Sequence, residues 1–215
     1  MNTHSTGFTK TSRIAACVLV LAFCPALRAQ SRMPPIPAEK MTDAQKKAVA
    51  EFEEARPNDV RGPWVPLLRS PELMSRVRAT SDYLRFKTPL PPKLIELVVL
   101  ITARHWTQQY EWNAHHSPAL KAGLSPDTAK AVAEGRRPDR MPEDETIIYD
   151  LITELLRNQD ISEATYARAV ARFGEQRVID AVTLSGHYTL ISMVLNTARV
   201  PLPAGATPAL APMAR

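Results

Sequence analysis

Apolar and polar residues along this chain follow the period of an α-helix. From residue 41 to residue 200, apolar side chains recur at intervals of three and four, and no segment shows the strict alternation of a half-buried strand. Prolines and small polar residues stand where helices would begin. The pattern therefore predicts an all-α helical bundle with about seven helices. The predicted helices cover 41–56, 72–86, 93–106, 126–135, 143–158, 163–174 and 176–200.

The first 29 residues have the pattern of a secretory signal peptide. Lys10 and Arg13 precede an apolar run, and Ala29 is a plausible cleavage point. The run is shorter than the roughly 20 apolar residues that a membrane helix needs, so a retained anchor is the less favoured alternative. The pattern predicts a periplasmic or secreted protein, cut near Ala29, with no stable membrane span after cleavage.

The rest of the chain divides by composition into three parts. Residues 30–40 form a flexible lead-in, residues 41–200 form one helical domain, and the Pro/Ala-rich tail 201–215 cannot continue a helix. We expect the tail to be an arm or a disordered end.

Charge and cysteine content change once the leader is removed. The whole chain has a net charge of +5, but removal of its three basic leader residues leaves 24 basic and 22 acidic side chains. This balance does not predict a nucleic-acid partner. Both cysteines, Cys17 and Cys24, lie in the leader. The processed chain would therefore have no disulfide and no thiol for peroxide reduction.

Glu96 is the one charged residue in the apolar run 94–103. Because its neighbours on the predicted helix face are mostly apolar, we expect it to be buried, and burial of a carboxyl group is one way to make a general acid or base. The alternative is an ion pair with Lys93 or Arg104 at the edge of the helix.

Three more polar residues share a face if the segment that follows is helical. Gln108, Glu111 and His115 stand at i, i+3 and i+7. Glu111 and His115 are then close enough for a hydrogen bond that would orient the imidazole and raise its basicity. We predict Glu96, Glu111 and His115 as catalytic residues.

Other side chains are candidates for binding a substrate. Arg85 is a candidate anchor for a carboxylate, Trp64 a candidate pocket wall, and His187 lies in an apolar helix where a core role is the default. The predicted substrate-binding set is Gln108, Trp112, Trp64, Arg85, His187 and Asn196. The histidines lack the spacing of a helical zinc pair, and no phosphate loop or dinucleotide motif is present, so no metal or cofactor is predicted.

The spacing Glu-x11-Gln-x2-Glu-x3-His, together with Gly62-Pro63-Trp64 and the segment 110–123, resembles the carboxymuconolactone decarboxylase and alkylhydroperoxidase D superfamily. Its peroxidase branch has cysteines where this chain has Gln108 and Glu111. The resemblance implies a helical domain that assembles into trimers or hexamers, with a pocket near a subunit boundary and a proton relay through Glu96 and His115.

These observations lead to a primary hypothesis and two alternatives. The primary hypothesis is a cofactor-free acid-base lyase acting on a small carboxylated lactone or unsaturated acid. The first alternative is peroxide-consuming activity of the alkylhydroperoxidase type, which the cysteine content disfavours. The second is a non-catalytic helical oligomer that binds a small acid.

Overall fold

The computed structural model describes Met1 and residues 31–56 and 59–212, and every regular element within them is helical. The predicted signal peptide, beyond Met1 itself, lies outside the described residues. A 3-10 turn at Ala38–Lys40 precedes nine α-helices. They are α1 (Asp43–Ala55), α2 (Trp64–Leu67), α3 (Pro71–Phe86), α4 (Pro92–His105), α5 (Gln109–Lys121), α6 (Pro126–Ala133), α7 (Glu143–Asn158), α8 (Glu163–Phe173) and α9 (Glu175–Ala198).

The prediction of an all-α fold is confirmed, and the seven predicted helices correspond to α1, α3, α4 and α6 to α9. Local chemistry explains their ends. At α1, for example, Thr42 Oγ1 accepts from the Gln45 amide at 3.3 Å while Gln45 Oε1 accepts from the Thr42 amide at 3.0 Å. The helices beyond the predicted seven are the single turn α2 and α5, whose helical state the sequence left conditional.

Helix α4 is the centre of the molecule. Every residue from Leu94 to Arg104 is buried, and α4 packs against α5, α6, α7 and α9. A second apolar cluster lies under α1, α2, α3 and the C-terminal half of α9, with Phe52, Met74 and Leu195 among its members. Glu96, on α4, therefore lies in the interior of the bundle.

Helix α9 is long and apolar enough to cross a membrane by length and composition. More than half of its most apolar window, 56%, is buried inside the fold, where α9 packs on α4, α3 and α8. Its apolar character is therefore explained by its place in the core.

The tail contains no helix over residues 201–212, yet it is held against the bundle. Leu210 is only 3% exposed and packs in the core around α4. Gln109 fixes it: Nε2 donates to the Leu210 carbonyl at 2.7 Å, and Oε1 accepts from the amides of Ala209 and Leu210. Over the described residues, the tail is a docked arm.

Candidate active site

His115 and Glu96 meet in the interior, where α5 packs on α4. His115 Nδ1 lies 2.6 Å from Glu96 Oε2, and both side chains are buried. A carboxylate at this distance accepts a hydrogen bond from an Nδ1–H, so the proton of a neutral imidazole is held on Nδ1. Nε2 is then the ring nitrogen that gains or loses a proton when the imidazole ionises.

Two groups lie at the other side of the ring. Glu111 Oε2 is 3.4 Å from His115 Nε2, and Tyr188 Oη is 3.1 Å from the same nitrogen. Glu111 reaches it because it stands four residues before His115 on α5, whereas Tyr188 comes from α9. The imidazole is therefore held between two carboxylates and a phenol.

Arg85, from α3, completes this polar group. Its Nη2 lies 3.1 Å from Glu96 Oε1, and its buried Nε has no hydrogen-bond partner among the described residues. The ion pairs considered as alternatives for Glu96 are absent from the described part of the chain, because Lys93 pairs with Glu145 and Arg104 donates to the Ala211 carbonyl. Glu96 therefore points inward, toward Arg85 and His115.

Burial and charge shift several ionisation equilibria in this group. Burial alone would lower the pKa of His115, but the hydrogen bonds to Glu111 and Glu96 outweigh it and raise the pKa. Burial raises the pKa of Tyr188 above its usual range. Burial, together with the nearby charges of Arg56 and Arg85, lowers the pKa of His187 to about 4. Near neutral pH, His187 and Tyr188 are therefore uncharged, and the two carboxylates stabilise the protonated form of His115 relative to a free imidazole.

His115 lies at the wall of a cavity of about 390 Å³. Such a volume is within the range of small-molecule sites. Helices α1, α3, α5 and α9, with the turn at α2, supply its walls. Its polar lining consists of Arg56, Asp59, Arg61, Ser81, Arg85, Glu111, His115, His187 and Tyr188, and its aromatic lining includes Phe52, Trp64, Phe86 and Tyr110. Glu96 is not part of the lining and stands behind His115.

Of the predicted substrate-binding residues, the structure brings Trp64, Arg85 and His187 to the cavity. It places the other three away from its walls. Gln108 caps α5, where its Oε1 accepts from the Tyr110 amide at 2.6 Å, and its Nε2 donates to Asn196 Oδ1 at 2.8 Å. Trp112 is a core residue, 3% exposed, with its ring stacked on His116.

The displacement of Gln108 has a local cause. The chain breaks the helix between α4 and α5, where Thr107 adopts a left-handed φ of +48°. Gln108 therefore precedes the first turn of α5 and does not share the face of Glu111 and His115. The prediction of a shared face therefore holds for Glu111 and His115 and does not hold for Gln108.

Tyr188 and Arg56 are among the cavity residues that the sequence did not predict. Tyr188 is fully inside the site, but nothing in the sequence indicates that it faces α5, which lies 73 residues away along the chain. Arg56 lies over the ring of Trp64, with 5.0 Å between its Cζ and the ring centre, and pairs with Asp82. Its position at the end of an Ala-, Lys- and Glu-rich helix resembled that of an ordinary solvated charge.

A metal centre finds no support in the described residues, where no group of three or more His, Cys, Asp or Glu side chains is arranged to hold an ion. The arrangement of Glu96, His115, Glu111 and Tyr188 is suited to moving a proton at Nε2 of His115.

Comparison with known proteins places this site in context. Residues 71–141 match the sequence profile of the Carboxymuconolactone decarboxylase family. The matched segment runs from α3 to the loop before α7 and contains Arg85, Glu96, Glu111 and His115, whereas Tyr188 and His187 lie beyond it. No curated protein matches the chain at a significant level.

Two solved structures are similar to the whole bundle. One is an alkylhydroperoxidase AhpD core, an uncharacterised peroxidase-related protein from Ralstonia eutropha JMP134, with a TM-score of 0.66, 18% identity, and coverage of 81% of this chain and 93% of that one. The other is an uncharacterised peroxidase-related protein from Silicibacter sp. TM1040, with a TM-score of 0.65, 13% identity, and coverage of 81% and 92%. The chain thus has the helical fold of alkylhydroperoxidase D-like proteins, and its site-bearing segment is similar to the carboxymuconolactone decarboxylase family.

Proposed function

We propose that the protein is an acid-base enzyme that acts on a small organic acid, with His115 as the group that transfers the proton. One observation carries the proposal. A buried imidazole is held by Glu96 at Nδ1, is contacted by Tyr188 and Glu111 at Nε2, and lines a cavity of about 390 Å³. A side chain fixed in this way can give a proton to a bound molecule without reorganising, and positioned acids or bases contribute about 10² to 10⁴ in rate.

Each group around His115 has a distinct part in the proposed chemistry. Glu96 lies behind the ring and is a positioning residue, because it holds the Nδ1 proton and stabilises the imidazolium. The sequence suggested Glu111 for that role, but Glu111 has the longer contact and lines the cavity. Arg85 also faces the cavity, and its guanidinium is suited to binding a carboxylate.

The reaction class we favour is decarboxylation of a carboxylated lactone or a related unsaturated acid. The bond between the carboxylate carbon and the neighbouring carbon breaks, and its electron pair moves into the substrate's own conjugated carbonyl. Carbon dioxide leaves, and His115 Nε2–H then delivers a proton to the carbon that had carried the carboxylate. The similarity of residues 71–141 to the Carboxymuconolactone decarboxylase family supports this choice.

Peroxide reduction is the second candidate, because the two similar structures compared above are described as peroxidase-related. Thiol-based reduction needs a thiolate in the site. No cysteine of this chain follows Cys24, and positions 108 and 111 hold Gln and Glu. In an assay with peroxide and a thiol reductant, we expect background consumption only, and consumption well above background would overturn the assignment.

The test of the proposed function is a screen of carboxylated lactones and unsaturated acids with the purified protein, with products identified by mass spectrometry. For any acid that is converted, we expect His115→Ala to lower kcat by about 10² or more. Glu96→Gln should lower kcat with less effect on KM, because Glu96 does not touch the substrate.

His116→Ala is the matched control, because this neighbouring histidine stacks on Trp112 away from the cavity. Wild-type turnover in both the His115 and the Glu96 variants would overturn the assigned roles. Stabilisation by an acid that is never converted would favour a binding protein instead.

A further inference from the structure

A second cavity adjoins the first one. Its volume is about 650 Å³, and the two cavities have Arg61, Tyr110 and Ala114 as common wall residues. The walls of the second cavity are mainly apolar. They come from the segment before α1, from α2 and from the segment after α9, and include Met33, Pro35, Val60, Val65, Val200 and Leu202.

The walls of this second cavity are anchored to the bundle. The amide of Arg32 donates to the Ala198 carbonyl at 2.8 Å, which ties the segment before α1 to the end of α9. Arg69 donates to the Pro34 carbonyl at 2.7 Å, which ties the same segment to the loop after α2. The cavity is therefore preformed, and a ligand would not have to order these segments.

The boundary between the two cavities includes a close contact of Tyr110 with Gly62 and the small side chain of Ala114. Gly62 has a φ of +58°, and a Cβ there would lie 2.7 Å from the phenol ring of Tyr110, so the ring packs directly on the backbone. Ala114 presents only a methyl group at the same boundary, one residue before His115.

We propose that the two cavities form one binding site for an amphiphilic acid with an aliphatic extension. The acid group lies in the first cavity beside Arg85 and His115, and the extension passes Ala114 into the second cavity. The position of the acid group rests on the proposed function. The chemistry of the walls supports the division, because Arg56, Arg85 and His115 line only the first cavity, whereas the second has mainly apolar walls and shares Arg61 with the first.

The proposal predicts that affinity depends on chain length. Each methylene that moves from water to apolar walls strengthens binding about fourfold. Butyrate, octanoate and dodecanoate, used below their micelle concentrations, are the probes, and isothermal titration calorimetry measures their affinity for the purified protein. We expect octanoate and dodecanoate to bind at least tenfold more tightly than butyrate.

Two variants test the path of the extension. Leu202→Asp places a charge in the second cavity, and Ala114→Phe fills the boundary between the cavities. Both should remove the gain with chain length. Leu73→Asp is the matched control, because Leu73 is 47% exposed and lies outside both cavities. Circular dichroism of each variant verifies folding.

The outcomes separate this inference from the proposed function. Equal affinity for the three acids would overturn the extended site, and so would an unchanged gain of affinity with chain length in both Leu202→Asp and Ala114→Phe. Neither result would contradict the proposed role of His115 in turnover. If affinity increases with chain length but His115→Ala does not change turnover, the extended site is supported and only the proposed function is overturned.

Discussion

At the scale of single residues, the site is defined by an imidazole whose protonated form two carboxylates stabilise. His115 is almost completely enclosed, an environment that by itself disfavours its charged form. Glu111 and Glu96 reverse that preference, and Arg85 limits the excess negative charge because it pairs with Glu96. The protonation equilibrium of His115 is thus set by its contacts with Glu96 and Glu111 and by the nearby charge of Arg85.

This balance predicts that removal of either carboxylate charge lowers the pKa of His115. In Glu96→Gln and in Glu111→Gln, the burial of the ring remains but one stabilising carboxylate is lost. NMR titration of the imidazole resonances measures the effect directly. Glu145→Gln, a buried glutamate that pairs with Lys93, is the control and should leave the His115 titration unchanged. An unchanged His115 pKa in both site variants would contradict the arrangement.

At the scale of elements, the end of the chain has contacts that its composition does not indicate. A tail rich in proline and alanine predicts an arm or a disordered end, and over the described residues it is an arm docked on the bundle. Gln109 at the first turn of α5 binds the backbone of Ala209 and Leu210, and the leucine fills the core beside α4. The docked arm therefore packs at the junction where α4 ends and α5 begins.

We predict that Leu210→Ala lowers the free energy of unfolding by about 2 to 3 kcal/mol, because it leaves a cavity where a buried leucine stood. Urea denaturation followed by circular dichroism measures the change. Leu73→Ala, at an exposed position, should change it by less than about 0.5 kcal/mol. A Leu210 variant as stable as the Leu73 variant would show that the docked arm does not contribute to stability.

At the scale of the whole molecule, α9 carries a stripe of side chains that stay exposed in the part of the chain that the structure describes. Its exposed positions are Ile179, Thr183, Gly186, Leu190, Met193 and Thr197, which follow alternating intervals of four and three. This is the seam spacing of helices that pack side by side, and a Cβ at Gly186 would meet nothing within 4 Å. We propose that a second copy of this chain packs on the stripe, in line with the trimer or hexamer that the family resemblance implies.

The proposed self-association predicts that Met193→Glu gives a smaller species in sedimentation velocity. A charge in the middle of an apolar interface is costly to bury, so the assembly should dissociate while the helical content stays unchanged. Tyr166→Glu, at another exposed apolar position on α8, is the matched control. A wild-type protein that sediments as a monomer at all concentrations would overturn the proposal.

The stability of the whole protein should also depend on pH through two buried histidines whose pKa values shift in opposite directions on folding. The pKa of His187 falls from 6.5 to about 4 on folding. As pH falls, the unfolded chain therefore binds a proton at His187 at a higher pH than the folded chain does. Stability is therefore lost as pH falls from about 6.5 to about 4. The pKa of His115 is raised, so its contribution is fully present below about 6.5 and is lost as pH rises through its folded value.

Thermal unfolding between pH 4 and pH 6.5 tests the His187 part. We expect His187→Gln to lose less stability across this range than the wild type, by up to about 3 kcal/mol. Parallel curves for the two proteins would contradict the burial of a neutral His187.

How far the sequence leads can be judged from particular residues. The helix ends at Thr42, Pro71, Pro92 and Gly174 were predictable because capping depends on a few neighbouring residues. The pairing of Glu111 with His115 was predictable for the same reason, since both stand on one helix. The predicted leader, and with it a periplasmic or secreted location, stays a prediction.

The sequence by itself determined the all-helical fold, the placement of most helices and the candidacy of Glu96, Glu111 and His115, because these depend on periodicity and local spacing. Only the tertiary structure decided which groups surround His115. Tyr188 and Glu96 reach it from α9 and α4, and Arg85 reaches Glu96 from α3. Gln108 turns away at a break that the helical period does not reveal. Contacts between distant segments depend on how whole helices pack, and side-chain spacing along the chain does not encode them.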